Sequence, residues 1–369
     1  MENRIRRNLI AQKAAFGRAL RAWYHVHYRR LPWRVAPSLY RTVVSEFMLQ
    51  QTQIKTVLPY FDRWLQALPD FAALAAAPEA RVLKLWEGLG YYSRARNLHR
   101  LAQALVVRPA TPRTPAEWEE LPGIGPYSAA AISSLAFGAR AACVDGNVVR
   151  VLARLTADGT RFRDRAAAPR HFAPLADTLL AERDPGTHNQ AMMELGALVC
   201  LPRNPRCDTC PVRGFCAAVR RGDPEEYPNL ATRKTERRTV ARVWCEHRGR
   251  LLLHRVPAGA RRLAGLHELP AAADAGLPDA AVGAAPLLAR RTRGMTSHQI
   301  TESIHCVTLT DSQRRRLSGR KTLRWVSADE LASLTLSGPH RRWIGEILSA
   351  RRQDPPPRNS ARRRHATSR

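Results

Sequence analysis

Apolar residues recur at helical spacing over most of the first 220 positions. Val43, Val44, Phe47 and Met48 form one stripe, Leu83, Leu85 and Trp86 a second, and Ala191, Met192, Leu195 and Leu198 a third. Strand-like alternation is scarce there, so residues 1–222 are predicted to be nearly all helix. A polar, proline-containing stretch at 223–237 reads as a linker. Beyond it the period shortens. Residues 239–244 alternate, Gly249 stands in a turn and Leu251, Leu252 and Leu253 follow, which predicts a β-hairpin. Residues 303–309 predict a further strand, and 328–334 and 340–350 predict helices. The pattern gives a mainly α first domain, a smaller α+β domain over 238–350, and a basic, disordered tail over 351–369.

Within the helical part, residues 121–125 (LPGIG) form a glycine hairpin. Thr114, Pro115 and Glu117 spell a capping box with proline at the first helical position, so a short helix precedes the hairpin. Pro126 and the small apolar run behind it open another. Gly123 and Gly125 allow backbone N–H groups to close on a phosphate at the positive end of that second helix. About twenty residues on stands Asp145, in Val144-Asp145-Gly146-Asn147.

Charge agrees with a polyanionic partner. The 369 residues carry a formal net charge of +29. Of 60 basic residues 55 are arginine, and genomic codon bias explains that preference but not the excess over acidic residues. No apolar run reaches membrane-span length and the first residues are basic without a hydrophobic segment, so a cytoplasmic, nucleoid-associated protein is expected, with no membrane partner. Seven cysteines in a reducing compartment read as metal ligands or free thiols. Cys200, Cys207, Cys210 and Cys216 are spaced densely enough to enclose a metal or a cubane cluster, and spacing leaves zinc and iron–sulfur both open. Cys143, Cys245 and Cys306 sit in apolar contexts and are expected to pack.

Glu46 lies among apolar neighbours on a predicted helix. If it faces inward its pKa rises and it suits proton donation; alone, a glutamate more often points to solvent. Asp145 reads alone as a helix N-cap. Together, beside a phosphate-binding hairpin, they make the carboxylate pair used to cleave glycosidic bonds.

Residues 45–53, the segment Gly88-Leu89-Gly90-Tyr91-Tyr92, the hairpin, the Asp145-Gly146-Asn147-Val148 stretch and the cysteine quartet occur in an order that resembles the adenine DNA glycosylase (MutY) family, within the helix-hairpin-helix DNA glycosylases. The resemblance runs over about residues 10–220. It implies a 4Fe–4S cluster at the four cysteines and excision of adenine opposite 8-oxoguanine or guanine from double-stranded DNA by base flipping. It implies Glu46 as the acid on adenine N7, Asp145 as the stabiliser of an oxocarbenium-like sugar, and Tyr127 as the group that positions Glu46. Trp33, Arg34 and Gln190 would line the adenine pocket. Gln50, Gln51 and Tyr91 would enter the duplex, with Gly123, Gly125 and Asn147 against its backbone.

Tyr127 occupies the hairpin position where the related glycosylase/lyases place a Schiff-base lysine, no lysine lies between Lys84 and Lys234, and Val149 stands where some relatives have one. A monofunctional, monomeric enzyme is therefore expected. Residues 263–270 (LAGLHELP) resemble a Nudix-like module. Residues 271–290 offer only Asp274 and Asp279 as acids, so this module should bind without hydrolysing. Ser297 and His298 match the family's 8-oxoguanine-reading loop, while Thr296 departs from its phenylalanine. The alternatives are a thymine/uracil–guanine mismatch glycosylase of the same superfamily and a noncatalytic DNA-binding iron–sulfur protein. Arg203, Arg206 and Arg213 near the cysteines, and Arg362, Arg363 and Arg364 in the tail, are candidates for phosphate contact.

Overall fold

A computed structural model of the chain describes residues 2–232, 235–295 and 297–353. Thr296 and the tail arginines lie outside the described residues. By contact the chain divides into two compact units, residues 1–85 with 93–233, and residues 86–92 with 234–369.

The first unit is helical throughout. The Val43/Val44/Phe47/Met48 stripe is fully buried on helix Leu39–Leu49, whose N-terminus is capped by Ser38 accepting from the Arg41 N–H. At its other end the buried Arg94 guanidinium donates to the carbonyls of Phe47 (3.1 Å), Met48 (2.9 Å) and Gln50, occupying carbonyls that a helix end leaves unpaired. The capping box forms as predicted: Thr114 and Glu117 bond reciprocally around helix Pro115–Glu119, and Trp118 is fully buried. The hairpin then turns through Gly123 at φ +77°, where a Cβ would stand 2.5 Å from that of Asn97, into helix Pro126–Phe137. Only glycine fits there. Asp145 caps helix Gly146–Thr156, taking the Val148 N–H at 2.8 Å. Cys143 is buried, as its context implied.

Residues 223–231 are more than a spacer. Tyr227 is buried in the main core of this unit, and residues 229 and 231 exchange backbone hydrogen bonds with Phe162. Side-chain burial at one aromatic converts a polar stretch into part of the domain wall.

The second unit is α+β. Strand β1 (Glu236–Trp244) is followed by β2 (Glu246–His247), β3 (Arg250–Arg255), β4 (His267–Glu268), β5 (Leu287–Met295), β6 (His298–Cys306) and β7 (Leu323–Val326). One sheet runs β1-β6-β5, with β1 parallel to β6; in the other, β3 pairs with β2, β4 and β7. The expected hairpin between residues 239–244 and 251–253 is therefore corrected. The turn at Arg248 and Gly249 joins β3 only to the two-residue β2, and β1 crosses to the other sheet. Alternation located the strands; pairing was decided by a nonlocal neighbour. The last helix is Gly338–Gln353, so residues 351–353 continue it rather than begin a tail. No helix among the described residues is long and apolar enough to cross a membrane.

Between these sheets lies a buried ionic cluster. Arg242 on β1 and Arg293 on β5 each reach Glu302 on β6 at 2.6 Å, and both also meet Glu268 on β4, at 3.3 and 2.9 Å. His340 accepts the Leu269 N–H at Nδ1, which leaves Nε2 to face Glu302 at 3.2 Å. Burial opposes both carboxylates, but His340 and the two guanidinium groups hold Glu268 at about 2 and Glu302 below its ordinary range. Removing one member strands buried charge. Glu302→Ala is expected to cost this unit about 3–5 kcal/mol, read as lost hydrogen-exchange protection in β1, β5 and β6 with helix Leu39–Leu49 unaffected; unchanged protection would contradict the assignment.

Candidate active site

A cleft of about 1190 Å³ in the first unit gathers half of the candidate site residues singled out from sequence. Its lining includes Glu46, Gln50, Gln51, Tyr127, Asp145, Asn147, Trp33, Arg34 and Gln190, drawn from five separate stretches of chain. Gly123, Gly125 and Tyr91 do not line it. Ser297 and His298 belong to the second unit, where the Ser297 hydroxyl lies 3.4 Å from His298 Nδ1 and His298 meets Glu236 at 3.1 Å.

Glu46 faces inward and is 8% exposed. The apolar stripe at 43, 44, 47 and 48 packs its helix so that position 46 must open on the cleft. Burial lifts its pKa to about 7; the Tyr127 hydroxyl pulls it down, the charge of Asp145 pushes it up, and Arg34 pulls it down again. Tyr127 also reaches Met193 Sδ at 3.2 Å. Asp145 is raised as well, first by burial, against hydrogen bonds from Val148 and Asn147 that favour its charge. One carboxyl is thus held protonated near neutrality beside another that keeps donors for its anion. A raised acid beside a hydrogen-bonded carboxylate is the arrangement that pairs a proton donor with an electrostatic stabiliser.

Asp145 is N-cap and site residue at once. Its Oδ1 takes the Val148 N–H, and its Oδ2 takes the Asn147 side-chain amide at 2.9 Å. The Asn147 amide oxygen in turn accepts from Arg150 at 2.9 Å. Expected against a DNA backbone, Asn147 has both ends of its amide engaged in orienting Asp145.

Around Arg34 and Gln190 nothing in the sequence pointed to Glu194, Arg29 or Tyr24, which also line the cleft. Glu194, buried on helix Pro185–Leu198, accepts from the Arg29 N–H (2.9 Å), from Arg29 Nε and Nη2 (2.8 and 2.7 Å), and from Arg34 (3.0 Å). Burial disfavours its charge, yet the two guanidinium groups hold it at about 2. Gln190, one helical turn earlier, accepts from the Tyr24 hydroxyl at 2.6 Å. Arg34 is thereby fixed by a buried anion, and Gln190 by a phenol. The i, i+4 spacing of Gln190 and Glu194 put both on one face, but a single glutamate in a helix gives no sign of which basic residues it will meet.

The cysteine quartet stands behind this site. Burial raises Cys210 to about 12, and the charges of Cys200, Cys216 and Cys207 push it the same way, so the four sulfurs share one locality. Among the described residues no three potential ligands converge tightly enough for a single metal ion. Four thiols in one locality are a donor set that fits a cubane cluster as well as a single tetrahedral metal. Arg150 donates to the Cys200 carbonyl at 2.7 Å, and Arg154 reaches Cys200 Sγ at 3.3 Å and the carbonyls of Leu201 and Pro202. Helix Gly146–Thr156 therefore carries Asp145 at its N-cap and grips the cysteine loop two turns later.

Comparison with known proteins agrees with this geometry. Residues 44–172 match the family described as HhH-GPD superfamily base excision DNA repair protein, and residues 200–216 match the iron–sulfur binding domain of endonuclease III. That match places an iron–sulfur binding segment of the 4Fe–4S kind over the stretch that carries Cys200, Cys207, Cys210 and Cys216. The chain is 44% identical over 223 residues to an adenine DNA glycosylase of Rattus norvegicus, and 42% identical over 228 residues to one of Homo sapiens. These alignments cover 58% and 59% of this chain but 43% and 42% of the relatives, so the chain spans less than half of their length. Among solved structures, a thermostable thymine-DNA glycosylase superposes with a TM-score of 0.52 at 26% identity, over 57% of this chain and 98% of its own. Residues 44–172 are thus similar to the HhH-GPD superfamily of base excision DNA repair proteins and residues 200–216 to the iron–sulfur segment of endonuclease III, in a chain that over 58% of its length resembles adenine DNA glycosylases.

Proposed function

We propose that the chain is a monofunctional DNA glycosylase that hydrolyses the N-glycosidic bond of adenine opposite 8-oxoguanine or guanine in duplex DNA. The observation that carries this reading is Glu46, buried, lifted to about 7 and lining one cleft with Asp145. The relatives named adenine DNA glycosylases support the choice of base.

A glycosidic bond to a purine breaks when the base is made a better leaving group and the sugar cation is stabilised. In this reading the flipped adenine enters the cleft between Trp33, Arg34 and Gln190. Glu46 donates its proton to N7, and Tyr127 keeps the carboxyl aimed. Charge then develops on the sugar beside Asp145, whose anion is oriented by Val148 and Asn147. Glu46, now ionised, receives a proton from the water that attacks the sugar. Gly123 and Gly125 hold a phosphate on backbone N–H groups, while Gln50, Gln51 and Tyr91 enter the duplex. Ser297 and His298 read the oxidised partner base. Cys200, Cys207, Cys210 and Cys216 would hold the 4Fe–4S cluster, which would supply a cross-link within residues 200–216 rather than reaction chemistry, while Arg150 and Arg154 tie that segment to the helix capped by Asp145. No lysine lies between Lys84 and Lys234, which supports cleavage without β-elimination.

The resemblance to a thymine-DNA glycosylase supports a second reading, removal of thymine or uracil opposite guanine. Glycosylase assays on duplexes bearing adenine, thymine or uracil opposite 8-oxoguanine and guanine separate the two. The expected outcome is adenine release with strand cleavage only after added base or heat, and no borohydride-trapped crosslink. Glu46→Gln is expected to slow base release by at least ~10²-fold; full activity in that variant would leave the cleft without its acid.

The pH dependence follows from the two carboxyls. Single-turnover rate is expected to fall above about pH 7, as Glu46 loses the proton it must donate. It should also fall at low pH as Asp145 is neutralised, from a midpoint above the usual aspartate range. Stability carries the same signature. The folded chain holds a proton on Glu46 between pH 4.5 and about 7 where the unfolded chain does not, so stability falls as pH rises through that window. The full penalty, on the order of 3 kcal/mol, is present above it. Glu46→Gln lacks this penalty, and its thermal midpoint is expected to exceed that of the parent more at pH 8 than at pH 5. A constant difference would contradict a buried, raised carboxyl.

A further inference from the structure

Residues 86–92, Trp86-Glu87-Gly88-Leu89-Gly90-Tyr91-Tyr92, interrupt the helical domain in sequence but fold with the second unit. Three of the seven have left-handed backbone: Gly88 at φ +109°, Gly90 at +71° and Tyr91 at +47°. A tyrosine adopts that conformation only where its surroundings impose it. Tyr91 is 44% exposed, while its neighbour Tyr92 is buried.

The segment is gripped at three points. The carboxylate of Glu87, itself 8% exposed, accepts from Arg341 Nε at 2.7 Å and Nη2 at 3.3 Å, and from the Leu336 N–H at 3.1 Å. The Tyr92 hydroxyl donates to the Leu336 carbonyl at 2.9 Å. Gly338 lies so close that a Cβ there would come within 3.2 Å of the Gly88 Cα. Arg341 is held in turn by the carbonyls of Leu331 and Leu334. A two-toothed ion pair, the N–H and carbonyl of Leu336, and a glycine-on-glycine contact hold both ends of the turn that presents Tyr91.

We propose that Glu87 and Arg341 are positioning residues: residues 331–341 of the second unit set the pose of Tyr91, so that engagement of a damaged duplex depends on that unit through this grip. The inference rests on the reading of Tyr91 as a residue that enters DNA. A half-buried, bidentate guanidinium–carboxylate pair has a preferred geometry and resists small displacements. Its loss frees the turn without altering the chemistry of Tyr91, and the cost appears where an inserted ring must already be aimed.

The test is a double-mutant cycle on the full chain, measuring affinity for a duplex with 2′-fluoro-2′-deoxyadenosine, which resists excision, opposite 8-oxoguanine. Arg341→Ala and Tyr91→Ala are each expected to weaken binding about tenfold, while Arg341→Ala made in the Tyr91→Ala background changes it less than about twofold. A purely structural role for Arg341 would give effects that multiply. Multiplying effects, or an unaltered affinity in Arg341→Ala, overturn the proposal. Should Arg341→Ala disturb the fold of the second unit, Glu87→Gln keeps an oxygen for the Leu336 N–H and removes only the charge. It is expected to weaken binding about threefold, again only when Tyr91 is present, and multiplication with Tyr91→Ala overturns the proposal here too. If the unmutated chain prefers this duplex no more than an undamaged one, the functional reading fails and takes the inference with it. If the preference holds and the effects multiply, only the inference fails.

Discussion

The site depends on a carboxyl kept out of water. Glu46 rides a helix whose Val43, Val44, Phe47 and Met48 are fully buried, and whose last carbonyls are tied to Arg94. The helix cannot turn to bring Glu46 to solvent without exposing that stripe, worth about 1.5–3 kcal/mol for each large side chain. The apolar packing therefore sustains the desolvation that lifts this acid, and the cost of burying it is borne by the core behind it. Opposite, Asp145 is an N-cap with the Val148 N–H and the Asn147 amide on its oxygens, where Glu46 has the Tyr127 hydroxyl.

Helix Gly146–Thr156 joins the reacting end of the cleft to the cysteine loop. Asp145, Asn147 and Arg150 form a continuous hydrogen-bonded series that ends on the Cys200 carbonyl, and Arg154 continues it to Cys200 Sγ. Each arginine is committed to several backbone carbonyls, so the loop and the N-cap move as one. A cluster held at the four cysteines would act on the proposed site through the position of this helix rather than by contact with the reacting bond.

Much of this was legible in the sequence because it is local. The Thr114–Glu117 box, the glycine hairpin, the Asp145 cap and the buried stripe around Glu46 all follow from spacings of four residues or fewer. What was not legible joins distant stretches of chain. Glu194 finds Arg29 and Arg34 about 160 positions away, and Tyr24 finds Gln190 across a similar gap. Arg242 and Glu302 meet because β1 lies parallel to β6, the pairing that alternation alone assigned to a hairpin. Periodicity reports which face is buried, never what it is buried against.

The ionisation of Glu46 is the most direct measure of the account. Carbon-13 labelling of glutamate side chains, with Glu46→Gln to identify the resonance, follows that carboxyl through pH. The account expects a midpoint near 7 that falls when Asp145→Asn removes the neighbouring charge. A Glu46 carboxyl titrating in the ordinary glutamate range, indifferent to Asp145, would contradict it.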